Sequence, residues 1–241
     1  MFIMVDGLDG SGKSTLIDGW AEALVQSGKK VFSLKKYWTE HHTHPSLAEL
    51  EPYDVILASE PTTIWVGAAI RQELIKEGTV YSAHTIATAF SLDRHIVYQR
   101  LIVPLLGQNK LIIQDRGVST SLCYQPLQYA DLTMAKVAAL EGNAFTLEHA
   151  PDHLIIVDIE PDIALARLNA RTGKQDNAIF EKKDFLERAR QTFLSPEYQA
   201  YFTSRGTSVH ILPSQGSIDI MKRESMSLFE RLCTTATTHT S

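Results

Sequence analysis

The chain has 241 residues, 44% hydrophobic and 21% charged, which is typical of a globular domain and excludes disorder over the whole length. Its net charge of −5 gives no basic excess, so binding to a nucleic-acid polymer is not expected, whereas a small anionic ligand needs only local positive charge. Cys123 and Cys233 form no CxxC pattern and no apolar run reaches the roughly 20 residues of a membrane span, which predicts a cytoplasmic protein without a membrane segment.

Strand and helix patterns alternate along the chain, which predicts an α/β fold with a parallel sheet between layers of helices. The strand candidates are short apolar runs, as expected of strands that are buried on both faces. They are Phe2–Val5, Val31–Leu34, Asp54–Ala58, Leu111–Gln114, Leu154–Ile159 and Val209–Leu212. We expect a sheet of about five strands.

Helix patterns lie between the strand candidates. Leu16 and Trp20 belong to an apolar series with a spacing of four residues, and Gly28 ends that helix. Ser82 can cap a long helix that bends or ends near Pro104. Further helices are predicted before Gly78 and near Thr133–Leu140, Pro161–Ala170, Lys183–Leu194 and Ile218–Leu232.

One domain is predicted over residues 1–233, with an insertion at 39–52 and a frayed tail at 234–241. The insertion carries His41, His42 and His44 between two strand candidates. A histidine cluster can bind a metal, but here no carboxylate or cysteine completes a ligand set at a suitable spacing. The insertion is therefore predicted to be a solvated surface loop.

A phosphate-binding motif follows the first strand candidate. The run Gly7-Leu8-Asp9-Gly10-Ser11-Gly12-Lys13-Ser14 matches G-x-x-x-x-G-K-[ST] and precedes a periodic helix. Its glycines let successive backbone N–H groups face one phosphate, and the start of the helix adds the positive end of its dipole. Lys13 can bridge the β- and γ-phosphates, and the Ser14 hydroxyl can ligate Mg2+.

This motif predicts binding of a nucleoside triphosphate without specifying the reaction. The chain has no base-reading NKxD motif of switch GTPases and is short for a motor, which favours a small-molecule kinase.

Four blocks in a fixed order resemble the thymidylate kinase (dTMP kinase) family of P-loop nucleoside monophosphate kinases, from Phe2 to about Leu232. They are Val5–Thr15, Ser59-Glu60-Pro61-Thr62 with Gly67 and Ile70-Arg71, Phe90–Arg94, and Asp115-Arg116 with Ser121 and Tyr124-Gln125. The resemblance implies a three-layer P-loop fold and transfer of a phosphoryl group from ATP to dTMP with Mg2+, for DNA precursor synthesis. It also implies nucleotides as partners and a homodimer.

The resemblance also implies roles for individual residues. Phe90 would stack on the base, Arg94 would contact the base or the acceptor phosphate, Arg116 would clamp that phosphate, and Tyr124 would disfavour ribose. The implied catalytic residues are Asp9, Lys13, Arg116 and Arg171, and the implied metal ligands are Ser14 and Asp115. The implied ATP site comprises Gly7, Leu8, Asp9, Gly10, Ser11, Gly12, Lys13, Ser14, Thr15 and Arg167. The implied dTMP site comprises Asp9, Glu60, Arg71, Phe90, Arg94, Arg116, Ser121, Tyr124 and Gln125.

Structural roles compete with several of these assignments. Phe90 could belong to the core, Arg94 could form an ion pair near Asp93, Glu60 could be a turn carboxylate, and Arg71 could be an exposed charge on a helix.

The resemblance places a lid at residues 167–182. Because Ser11 stands where some members carry an arginine in the P-loop, Arg171 is the expected transition-state cation, supported by Arg167 and Lys174. The chain departs from the family pattern at Asn177 in the lid, where an arginine is common. A catalytically weakened nucleotide-binding protein therefore stays an alternative. A kinase for another (deoxy)nucleotide or for a deoxynucleoside is a second alternative, although Arg94 and Arg116 favour an acceptor that carries a phosphate.

Overall fold

A computed structural model describes residues 1–76, 78–129, 131–170 and 183–237. Its sheet has six parallel strands in the spatial order 2-3-4-1-5-6, so each strand candidate forms a strand and the count exceeds the expected five by one. The strands are β1 (Phe2–Gly7), β2 (Val31–Ser33), β3 (Val55–Ser59), β4 (Leu111–Asp115), β5 (His153–Asp158) and β6 (Ser208–Pro213).

Helices cover both faces of this sheet. They are α1 (Lys13–Gln26), α2 (Leu34–His41), α3 (Leu47–Leu50), α4 (Trp65–Ala69), α5 (Ala83–Val97), α6 (Val103–Gly107), α7 (Val118–Gln128), α8 (Met134–Ala138), α9 (Glu141–Glu148), α10 (Pro161–Asn169), α11 (Lys183–Leu194), α12 (Pro196–Thr203) and α13 (Ile218–Thr237). Segments with π-helical hydrogen bonding, Ile70–Leu74 and Tyr98–Ile102, continue α4 and α5. None of the helices in the described part of the chain is long and apolar enough to cross a membrane.

The predicted helices are present, with shifted ends. Ser82 caps α5 as expected, since its Oγ accepts a hydrogen bond from the Thr85 amide at 3.1 Å. The helical path then continues through the π-helical segment and past Pro104 into α6. Helix α13 runs to Thr237, so the first residues of the predicted tail at 234–241 are helical. The tail at 234–241 as a whole stays a prediction.

The insertion at 39–52 is only partly a solvated loop. Helix α2 ends inside it, and Ser46 and Glu49 form a capping box that starts α3. His44 is buried, and its Nδ1 accepts a hydrogen bond from Trp38 Nε1 at 3.1 Å. Burial lowers the pKa of His44 to about 4, so the imidazole is neutral at pH 7. The prediction overlooked the local capping-box signal of Ser46 and Glu49, whereas the contact of His44 with the Trp65 ring depends on tertiary structure.

The sheet separates two cores. Along β1, Phe2 and Met4 pack into the core on one face, and Ile3 and Val5 pack into the core on the other. This double burial accounts for the continuous apolar runs of the strands. Because β1 lies between β4 and β5, the loops that follow β1 and β4 emerge side by side at the carboxyl edge of the sheet.

The packing of α9 on α5 depends on Gly142, because a Cβ at that position would overlap the carbonyl oxygen of Ser91. We expect Gly142→Ala to lower the free energy of unfolding by about 1–3 kcal/mol, the usual cost of overpacking. Gly19→Ala in α1 is the matched control, because nothing lies within 4 Å of a Cβ built there. Alanine in a helix interior is about 0.5–1 kcal/mol more favourable than glycine. Urea unfolding measures both changes, and an equal effect of the two substitutions would contradict the packing argument.

Candidate active site

The glycine-rich loop lies at the centre of the carboxyl edge, between β1 and α1. Gly10 and Gly12 have φ values of 82° and 98°, a left-handed conformation that the loop needs in order to turn into α1. Helix α1 begins at Lys13, so its unpaired amide groups and the positive end of its dipole lie at the loop. This part of the site can bind an anionic group such as a phosphate.

The Lys13 side chain lies inside this loop and is 6% exposed. Its ammonium group donates hydrogen bonds to the carbonyl oxygens of Gly7 at 3.0 Å and Leu8 at 2.7 Å. Burial, and then the charge of Arg116, lower the pKa of Lys13 to about 8. Below about pH 8 Lys13 is therefore a cation, and it lies where the loop would hold phosphates.

Ser14 at the start of α1 and Asp115 at the end of β4 come together at the carboxyl edge of the sheet. Ser14 Oγ donates a hydrogen bond to Asp115 Oδ2 at 3.3 Å. The other carboxylate oxygen, Asp115 Oδ1, is buried and accepts no hydrogen bond from the described residues. A hydroxyl and a carboxylate that keeps an unused oxygen fit Mg2+, which prefers oxygen ligands. The two predicted metal ligands are thus brought together.

Arg116 follows β4 and reaches the glycine-rich loop. Its Nη2 lies 2.5 Å from Asp9 Oδ1, and its Nη1 lies 3.4 Å from Asp6 Oδ1. The guanidinium carbon is 5.7 Å from the centre of the Tyr124 ring, a cation–π distance. Arg116 has a φ of 64°, a conformation that is strained for a residue with a side chain. Arg116 therefore connects the loop with the predicted acceptor residues.

Asp6 organises this junction and was not among the predicted site residues. It is fully buried and accepts hydrogen bonds from the Gly7 amide at 2.7 Å, from Thr120 Oγ1 at 2.6 Å and from Ser119 Oγ. Together with Arg116, these contacts join β1 to the start of α7. An aspartate at the end of an apolar strand and directly before a glycine loop is the sequence signal that could have identified it.

A second buried network surrounds Arg94, which is 1% exposed. Its Nε pairs with Glu60 Oε2 at 2.7 Å, its Nη2 donates to Ser121 Oγ at 3.1 Å, and its Nη1 donates to Asn143 Oδ1. Burial raises the pKa of Glu60 to about 7, although the charge of Arg94 opposes this shift. Arg94 thus has an ion pair as well as contacts to predicted acceptor residues, and the network holds its guanidinium in one orientation.

Asp93 does not pair with Arg94. Its carboxylate accepts hydrogen bonds from the Thr62 amide at 2.8 Å and from Thr62 Oγ1 at 2.7 Å. Arg71 supports the same turn, because its Nε donates to the carbonyl oxygens of Pro61 at 3.1 Å and Thr62 at 3.0 Å. Arg71 is half-buried, so the alternative of an exposed helix charge is wrong.

Gln125 and Phe90 complete the predicted acceptor side. Gln125 Nε2 donates to Ser121 Oγ at 3.3 Å, and the buried Gln125 Oε1 accepts no hydrogen bond from the described residues. Phe90 lies one helical turn before Arg94, is half-buried, and belongs to neither core of the described residues. The Gln125 Oε1 atom is suited to accept a hydrogen bond from the polar edge of a base, and the Phe90 ring is suited to stack on the face of the base.

Arg167 contacts the glycine-rich loop from α10. Its guanidinium donates to Ser214 Oγ at 3.1 Å, to the Ser214 carbonyl at 3.0 Å and to the Ser11 carbonyl at 3.5 Å. It therefore ties the segment that follows β6 to the glycine-rich loop. The predicted lid residues Arg171, Lys174 and Asn177 lie outside the described residues.

A family model and several known proteins are similar to this chain. A family model described as thymidylate kinase matches residues 46–224. A thymidylate kinase of Bacillus cereus (strain AH187) is 31% identical over 198 residues, which are 80% of this chain and 82% of the relative. A probable thymidylate kinase of Thermococcus onnurineus (strain NA1) is 27% identical over 238 residues, which are 95% of this chain and 97% of the relative. A probable thymidylate kinase of Pyrobaculum aerophilum is 28% identical over 194 residues, 80% of this chain and 81% of the relative.

Proposed function

The chain belongs to the thymidylate kinase family and phosphorylates dTMP to dTDP. We propose that ATP with Mg2+ donates the phosphoryl group, at the site that extends from Lys13 to Arg94. The observation that carries this proposal is the contact of Arg116 with Asp9. Arg116 Nη2 lies 2.5 Å from Asp9 Oδ1, which joins the glycine-rich loop to the side that holds the Arg94 network. Donor and acceptor phosphates can therefore meet at one cationic group.

The donor half consists of the loop amides, Lys13 and the Ser14–Asp115 pair. The amides and the Lys13 ammonium would hold the β- and γ-phosphates of ATP. Ser14 and Asp115 would hold Mg2+, which when bound neutralises charge on the donor phosphates. Thr15 and Arg167 would complete the ATP site, and Arg167 already fixes the segment after β6 against Ser11.

The acceptor half of the site would contact both the phosphate and the base of dTMP. Arg116 presents a planar fork that suits a phosphate, and Tyr124 would occupy the space of a ribose hydroxyl. Phe90 would stack on the base, and Arg94 would donate to a base carbonyl. Gln125 Oε1 would accept the N3–H group, which thymine and uracil carry and cytosine lacks. Glu60, Ser121 and Arg71 would hold these groups in place.

The transfer itself needs positioning and charge stabilisation. The acceptor phosphate is already an oxyanion, so no side chain has to act as a general base. Asp9 would orient Arg116 between the two substrates. The transition-state cation would be Arg171, with Arg167 and Lys174 in support, because Ser11 supplies no positive charge in the loop.

We also propose a homodimer, a cytoplasmic location and a single domain over residues 1–233, and these proposals rest on the family relationship and on the sequence. The stacking of Trp20 in α1 on Phe229 in α13, with ring centroids 4.7 Å apart, supports one domain because it links the start of the chain to its last helix.

A coupled assay of ADP release with dTMP, dUMP, dCMP, UMP and thymidine tests the proposed function. We expect the highest kcat/KM with dTMP, weaker turnover of dUMP, and kcat/KM about 10²-fold or more lower for dCMP, which cannot donate from N3. Thymidine should give almost no turnover, because it has no phosphate for Arg116.

The other outcomes separate the alternatives. A preference for thymidine would indicate a deoxynucleoside kinase, and a preference for dCMP would contradict the role of Gln125. Binding of dTMP without turnover above the ATPase background would indicate a catalytically weakened nucleotide-binding protein.

A further inference from the structure

Asn143 is a fully buried polar residue in α9 that belongs to none of the four sequence blocks. Its Oδ1 accepts a hydrogen bond from Arg94 Nη1, and its Nδ2 donates to the Val137 carbonyl at 2.7 Å. Its backbone amide donates to Ser91 Oγ at 3.2 Å. The side-chain amide is therefore anchored on both sides, by Arg94 in α5 and by Val137 in α8, and the backbone amide is anchored to α5 as well.

Hydrogen bonds from three of its nitrogen atoms fix the orientation of the Arg94 guanidinium. Glu60 takes the Nε–H group, Ser121 takes one N–H of Nη2, and Asn143 takes one N–H of Nη1. A guanidinium has five N–H groups, so each terminal nitrogen keeps a second N–H. Because the group is planar, three fixed points determine the direction of both remaining donors.

We propose that Asn143 is a positioning residue for base recognition, which acts by fixing the Arg94 guanidinium so that its remaining N–H groups face the acceptor base. The neutral amide suits this role better than a carboxylate. It accepts from Arg94 and donates to Val137 at the same time, and it adds no second negative charge beside Glu60. The inference rests on the proposed function, because it assumes that Arg94 contacts the base.

A substitution series separates positioning from simple packing. In Asn143→Ala, we expect the Kd for dTMP, measured by calorimetry, to rise about 10- to 100-fold, the effect of losing a hydrogen bond to a charged group. The KM for ATP should change by less than about twofold. Thr146→Val is the matched control, because Thr146 is equally buried in α9 and its hydroxyl donates within the helix to the Gly142 carbonyl at 2.7 Å. It should leave dTMP binding unchanged.

Two further measurements address the coupling to Arg94. In an Arg94→Met background, adding Asn143→Ala should change the Kd for dTMP by less than about twofold, whereas a full additive loss would overturn the proposal. Without any substrate, the guanidinium N–H signals of Arg94 in 15N-labelled protein should broaden in Asn143→Ala and persist in Thr146→Val. Unchanged signals in Asn143→Ala would also overturn it. Absence of dTMP turnover by the unsubstituted protein would contradict only the proposed function, because the N–H signals require neither substrate.

Discussion

Lys13→Met is expected to lower kcat about 10²- to 10³-fold, the usual effect of removing one preorganised charge-stabilising group. The side chain keeps its length and apolar stem but loses the ammonium group that lies against the Gly7 and Leu8 carbonyl oxygens. Steady-state kinetics with saturating dTMP and ATP measure the change. Lys29→Met is the matched control, since Lys29 is an exposed lysine that follows α1, and its kcat should stay within about twofold of the unsubstituted protein.

The pH dependence of ATP binding gives the same prediction a second readout. Burial lowers the pKa of Lys13 to about 8, so the ammonium form predominates below that pH and is lost as the pH rises through it. The Kd for ATP should therefore rise above about pH 8. Lys13→Arg should remove this dependence, because a guanidinium stays protonated. A flat profile in the unsubstituted protein would show that the pKa of Lys13 is not lowered. A kcat of Lys13→Met close to that of the control would place Lys13 outside the donor site.

Arg116→Met is expected to lower kcat/KM for dTMP about 10²- to 10³-fold, with a much smaller change in the KM for ATP. The guanidinium lies between the Asp9 carboxylate and the predicted position of the acceptor phosphate, so its loss removes a bidentate contact and the ion pairs of Arg116 with Asp6 and Asp9. Arg116→Lys keeps the charge but not the planar fork, and we expect an intermediate loss of about 10- to 100-fold.

The control for Arg116 is Arg223→Met, which changes an exposed arginine in α13. Thermal unfolding of each variant shows whether the fold is retained. If Arg116→Met weakened ATP and dTMP binding equally, Arg116 would belong to the shared support of the loop and not to the acceptor phosphate.

The sequence predicted the parts of this site that depend on local patterns. Gly7 to Ser14 could be placed because the strand, the glycine loop and the helix are contiguous, and Asp115 and Arg116 because a polar pair follows an apolar strand. Asn143 could not be found in this way, because it reaches Arg94 only when α9 packs on α5, 49 residues away in the chain.

Tertiary contacts also decided between the competing roles that the sequence left open. Arg94 proved to have Glu60 as its ionic partner, since Asp93 is already used by the amide and hydroxyl of Thr62. Neighbouring residues on a helix point to different faces, so adjacency in sequence was a poor guide to this ion pair. The burial of His44 was missed for a related reason, because it also packs against Trp65, which is distant in sequence, whereas the capping box of α3 is a local signal.

The order of strands in the sheet has a consequence for the way the protein is made. Strand β1 is synthesised first, yet its partners are β4 and β5, with Phe2 beside Ile112 and Ile3 beside His153. A ribosome must therefore release well over half of the chain before the strand under the glycine-rich loop can gain both neighbours. Strand pairings between residues so distant in sequence form slowly, because closing the long intervening loop costs chain entropy before any stabilising contact forms. The nucleotide site is thus encoded early and assembled late during synthesis.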